Sequence, residues 1–172
     1  GVRLVGSEMC IRDRILTNIF LKKPDFFLLL ISFMNMYFNT MNIKSSQTLV
    51  EEAKKSIETL SPEEVKKLSD NKEITLVDVR DIRELWNEGT IENSKHIPRG
   101  MLEFWLDPNS SYYNANKIGD IKKMVLFCAA GFRSALAAKS LVDMGFKNVA
   151  HVDGGFDALK NVGMKVIEKE KK

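Results

Sequence analysis

Cysteine is almost missing from this chain. Only Cys10 and Cys128 occur, far apart and in unlike surroundings. That excludes a disulfide framework and fits a reducing compartment, where a lone thiol is a nucleophile, a metal ligand or a small buried hydrophobe. Histidine is equally scarce. His96 and His151 have no further ligand types clustered beside them, so both read as structural, and neither a metal nor a cofactor is expected. A large excess of either charge is missing too. Lys and Arg number 26 against 23 Asp and Glu, and five against three of these fall in residues 1–40, which leaves 21 against 20 for the remainder. A body this close to neutral offers no electrostatic footing for nucleic acid. The longest apolar stretch, "FFLLLISFM", is too short to cross a bilayer as a helix, so no membrane partner is expected.

Residues 1–40 differ from the rest. Half of the ten phenylalanines lie there. Lys22 and Lys23 ahead of an apolar run imitate a leader peptide, but no small-residue cleavage site follows and Pro24-Asp25 interrupts the junction. The opening "GSEMCIRDR" reads as a translated sequencing adapter. Translation is therefore expected to start at Met41, with 1–40 an artefactual or disordered extension and Cys10 without function. A cytoplasmic location is expected from the cysteine usage, with export the alternative if residues 15–40 are a genuine leader. Residues 41–55 form a helical lead-in, 56–168 the folded domain, and 169–172 a charged tail.

Within the domain, helix and strand signals alternate. A helix is expected over 48–55 and an edge strand over 56–60. Ser61, Pro62 and Glu64 make a capping box with proline in the first turn, so a helix follows at 61–68. "EITLVDV" (73–79) is a buried strand, 82–89 a helix closed by Gly89, and "KHIP" (95–98) a short strand. Residues 99–120 read as a long connection carrying Phe104 and Trp105. "MVLF" (124–127) is a second buried strand. A helix at 134–145 ends on Gly145, "VAHV" (149–152) is a third strand, and a last helix covers 154–163. Strands alternating with helices at this spacing indicate an α/β fold with a parallel sheet covered on both faces.

In such sheets ligands sit beyond the carboxyl ends of the strands. Cys128 is the first residue past "MVLF". Ala129, Ala130 and Gly131 are small enough to let a loop curl until its N–H groups point inward as an anion nest. Phe132, Arg133 and Ser134 lead into the helix, whose positive end favours the thiolate, the nucleophilic form. The alternative is that Cys128 is a small hydrophobe at a strand end.

From about Ile57 to Gly163 the chain resembles a single rhodanese-type sulfurtransferase domain. "LVDVRDIREL", "KHIPRG", "CAAGFRSALAA" and "VAHVDGGF" stand in the family's order, and "HIPRGMLEFWLDP" resembles a bacterial single-domain subgroup. The resemblance implies a three-layer fold with a central, mostly parallel sheet of about five strands. It implies that Cys128 takes sulfur from thiosulfate or a persulfide and passes it to a thiophilic acceptor. Residues Ala129 to Ser134 would hold the persulfide, with Arg133 ordering the loop or attracting the donor. Partners would be small sulfur donors and acceptors or a persulfide-bearing protein.

Two rival readings stand beside this one. The first is a sulfur carrier or binding module without turnover. The second is a phosphatase- or arsenate-reductase-like enzyme. Related phosphatases use Cys-x5-Arg, one residue longer than the Cys-x4-Arg of Cys128 to Arg133, and no second thiol lies near for a reductase. Leu159 replaces a frequent tryptophan, as core packing, and Lys95 replaces a frequent glycine. The loop's only charge is Arg133, which disfavours thiosulfate as donor. Asp78 and Arg80 either touch the site or brace the strand end, with Arg80 paired to Glu84. Phe104 and Trp105 either wall the donor's entrance or cover the core edge. Gly154 and Gly155 allow a tight strand-to-helix turn.

Overall fold

Side-chain caps start the early elements. The computed structural model describes residues 28–34, 43–113, 115 and 122–171. It divides into two units, Gly1–Lys44 and Ser45–Lys172. In the first, residues 28–34 are helical with exposed side chains; the rest of the extension expected over 1–40 lies outside the described residues. In the second, helix α1 (Ser46–Lys54) begins where the Ser45 hydroxyl accepts the Thr48 N–H at 3.1 Å. Strand β1 (Glu58–Leu60) precedes α2 (Pro62–Asp70), and the predicted capping box is present. Ser61 Oγ accepts the Glu64 N–H, and the Glu64 carboxylate accepts the Ser61 N–H.

Then come β2 (Ile74–Asp78), α3 (Ile82–Glu88), β3 (Thr90–Ile91), β4 (Lys95–His96), a 3-10 turn (Arg99–Met101) and α4 (Leu102–Leu106). β5 (Lys123–Phe127), α5 (Phe132–Asp143), β6 (Val149–Val152), α6 (Gly155–Asn161) and β7 (Val166–Ile167) complete the chain. The five-stranded sheet has the order β1-β6-β5-β2-β4, and every pairing in it is parallel. Its three central strands carry the apolar runs, because a strand covered on both faces can hide no polar side chain cheaply.

Alternation along the strands divides the core in two. Val77, Met124, Leu126 and Val149 face one side with Ala137, Ala138 and Leu141 of α5 and Leu102 and Leu106 of α4. Leu76, Val125, Phe127, Ala150 and Val152 face the other, against Val65 of α2 and Phe156 and Leu159 of α6. Helix α1 packs on α5. Leu159 is thus core, as expected. This is the α/β three-layer arrangement that the sequence pattern indicated.

Three details differ from expectation. The 3-10 turn and α4 occupy the start of what reads as a connection; Leu102 and Leu106, four apart, are fully or almost fully buried and anchor one short helical stretch. Strands β3 and β7 form a separate antiparallel ribbon, two residues per strand and too short to show a period. Helix α5 starts at Phe132, two residues before Ser134. At the far end, the Lys171 ammonium lies over the Trp86 ring.

Candidate active site

Cys128 sits directly after β5, flanked by the carboxyl ends of β2 and β6. Its thiol is deeper than a sheet-edge position suggests. The residue is 1% exposed and packs in the core layer of Val77, Leu126 and Ala138. One loop amide reaches it: the Gly131 N–H donates to Sγ at 3.2 Å.

Two of the loop's carbonyls are tied to the start of α6. The Phe156 N–H donates to the Cys128 carbonyl at 2.7 Å, and the Asp157 N–H to that of Ala129 at 3.4 Å. Both donors belong to the first turn of α6, whose N–H groups have no partner inside the helix. Bringing them this close requires Gly155. A Cβ there would lie 2.4 Å from the Cys128 oxygen and 2.5 Å from the Ala129 oxygen. Gly131 is bound from the other side. At φ +91° it precedes α5, and a Cβ on it would come within 3.2 Å of the Gly154 nitrogen and the Val152 oxygen.

The Gly131 carbonyl is anchored by the buried Ser134 hydroxyl, which donates at 3.0 Å. Ser134 Oγ in turn lies 3.5 Å from His151 Nδ1, and Thr59 Oγ1 lies 3.0 Å from Nε2. Since Ser134 has given its proton to the carbonyl, the network assigns the imidazole proton to Nδ1. Burial, reinforced by the charge of Lys54, pushes His151 down to about 4. His151 is therefore a neutral structural histidine, as expected.

Ala130 and Phe132 are exposed on the loop's outer side, with Phe132 at 55%. Arg133, also in the first turn of α5, points at a partner the sequence did not assign to it. Its Nη1 donates to Glu84 Oε1 at 2.6 Å and its Nη2 to Oε2 at 2.7 Å. This hydrogen-bonded pairing, followed by the charge of Glu84 and contributions from Cys128, raises the Arg133 pKa. Glu84 is lowered, first by Arg133. Glu84 also caps α3: its Oε1 accepts the Asp81 N–H, while Asp81 accepts the Arg83 N–H.

A family description, Rhodanese-like domain, matches residues 61–162, more than half of the chain. The chain belongs to this family. Two solved structures bring the likeness closer. A protein from Rhodopseudomonas palustris, described as of unknown function and a possible tyrosine phosphatase, is 44% identical. The match has a TM-score of 0.67 and covers 72% of this chain and 95% of that one. The polysulfide-sulfur transferase homodimer of Wolinella succinogenes is 36% identical, with a TM-score of 0.57, and the match covers 72% and 88% of the two chains. Among curated relatives, a tRNA uridine(34) hydroxylase of Photorhabdus laumondii is 33% identical over 101 residues. That alignment covers 59% of this chain but only 28% of the hydroxylase.

Other residues of this rhodanese domain fall into place around the loop. Arg80 does not pair with Glu84. It is wholly buried, its Nε and Nη2 donate to the Asp78 carboxylate, Nη1 to Glu88 and Nη2 also to the Gly89 carbonyl. The guanidinium lies 3.8 Å from the Phe156 ring centroid, and Thr90 donates to Asp78. Asp78 and Arg80 thus tie β2, the ribbon and α6 together behind the loop. His96 Nε2 is 2.9 Å from the Arg80 carbonyl. Phe104 is 52% exposed, edge-on to Tyr112, while Trp105 packs against the core layer that holds Cys128. A cavity of about 590 Å³ lies elsewhere, between Lys66, Ile91 and Met164, and no loop residue lines it.

Glu84 and Gly155 are what sequence reasoning missed. Asp81-x-x-Glu84 has capping-box spacing and was legible as such. The pairing with Arg133 across the sheet end was not.

Proposed function

We propose that this rhodanese domain is a sulfurtransferase working through a persulfide on Cys128. In the first half-step Sγ attacks the sulfane sulfur of a donor. A new S–S bond forms on Cys128, the donor's own bond to that sulfur breaks, and the leaving group departs with the electron pair. In the second, an acceptor thiolate or cyanide takes the outer sulfur and the Cys128 thiolate returns. The Gly131 N–H aimed at Sγ carries this reading, together with carbonyls tied to the start of α6, because a sulfur anion is stabilised by fixed N–H dipoles. Ala129 to Ser134 would hold the persulfide. The thiol's depth adds a restriction: a donor must offer its sulfur at a slender end. Relatives named for sulfur transfer support the same chemistry.

The test is thiocyanate formation from a sulfane donor and cyanide, with ping-pong kinetics expected and loss in Cys128→Ser. A protein that takes up sulfur but does not turn over would be a carrier instead. The possible-phosphatase description of the Rhodopseudomonas palustris relative makes ester hydrolysis worth a parallel trial. With four residues between Cys128 and Arg133, no Cys128-dependent hydrolysis of an aryl phosphate is expected.

A further inference from the structure

The loop's one cation is already neutralised. Glu84 meets Arg133 with both oxygens, a two-pronged geometry that fixes the guanidinium plane as well as its charge. The carboxylate is itself immobilised by the α3 cap. Arg80 and Arg83, which both precede Glu84 in sequence, are each engaged by aspartate, Asp78 and Asp81. Ala129, Ala130 and Phe132 bring no charge to the loop. An approaching donor therefore meets a compensated ion pair rather than a positive mouth, and the field of such a pair fades much faster with distance than that of a bare cation.

We infer that Glu84 determines donor specificity: by cancelling the Arg133 charge it turns the site away from dianionic thiosulfate and toward organic or protein persulfides. This rests on the sulfurtransferase reading above. With thiosulfate, the Cys128 thiolate gains sulfur and sulfite leaves with both charges of the dianion. With a hydropersulfide, the leaving group is a single thiolate, so less negative charge gathers at the loop.

The experiment measures kcat/KM for thiosulfate and for hydroxyethyl hydropersulfide in the full chain, in wild type and Glu84→Gln, across salt from about 0.02 to 0.5 M. Glutamine keeps an oxygen for the Asp81 N–H. The thiosulfate-to-persulfide ratio is expected to rise about tenfold or more in Glu84→Gln, and the gain to shrink with salt. In wild type the thiosulfate value should not fall as salt rises. A ratio unchanged in a folded Glu84→Gln, or a wild-type thiosulfate rate that drops steeply with salt, overturns the proposal. The salt series on wild type decides even if the variant does not fold. Absence of Cys128 sulfuration from either donor would instead remove the sulfurtransferase reading, and this inference with it.

Discussion

The α-carbon of Gly155 lies against the carbonyl of Cys128 so closely that a methyl group on it would stand 2.4 Å from that oxygen. The start of α6 can dock on the loop only because this position has no side chain. With φ at +60°, the backbone also favours glycine.

Gly155→Ala should therefore damage chemistry as well as stability. Reaching ordinary contact moves the Cys128 carbonyl by about 1 Å, and displacements of that size cost on the order of a hundredfold in rate. Gly145→Ala is the control: φ is +99°, but nothing lies within 4 Å of the new methyl group. It should cost about 1 kcal/mol through backbone strain alone and leave sulfur uptake by Cys128 unaltered. Equal rates in the two variants would contradict the role given to the α6 contact.

Asp78 and Arg80 form a sealed ion pair behind the loop. Removing Asp78 leaves the buried Arg80 guanidinium with only Glu88 and the Gly89 carbonyl, and breaking a buried pair in this way typically costs about 3–5 kcal/mol. Asp78→Ala should lower the urea midpoint accordingly. Any residual sulfur-transfer rate, normalised to folded protein, should stay within about threefold of wild type, since neither group contacts Sγ. A stable but inactive Asp78→Ala protein would place Asp78 in the chemistry instead.

His151 predicts a pH dependence. Its folded value is about 4, against about 6.5 when unfolded. Between these the unfolded chain binds more protons, so stability falls as pH drops through that window. The full difference is on the order of 3 kcal/mol. Urea titrations at pH 7, 6, 5 and 4 (steps bracketing the histidine window) should show wild type losing more stability than His151→Gln, by a slope of up to about one proton. Identical slopes would mean that His151 protonates freely in the folded state.

Much of this architecture was readable beforehand, for physical reasons. "MVLF" and "EITLVDV" are strands because β-branched and apolar runs of that length suit a doubly covered sheet. Ser61-Pro62 and Gly145 marked helix ends through local backbone chemistry. Cys128 stood out by its place after such a strand, before a run of small residues. The remainder depended on distant parts of the chain. Five residues are too few for α4 to declare a helical period. Gly154 and Gly155 read as a turn, whereas the demand on Gly155 comes from carbonyls of residues 128 and 129. Arg80 and Arg133 each had several carboxylates to choose from in sequence. Only the folded sheet end gives Asp78 and Glu88 to the first and Glu84 to the second. The depth of the thiol, too, is a product of packing by α5 and α4.

Everything turns on whether the sulfur of Cys128 can carry another sulfur atom. Intact-protein mass spectrometry after exposure to a sulfane donor reads this directly. A gain of one sulfur atom is expected, mapped to Cys128, absent in Cys128→Ser and removed by cyanide with formation of thiocyanate. A wild-type protein that gains no sulfur from any donor, or gains it equally without the Cys128 thiol, would contradict it.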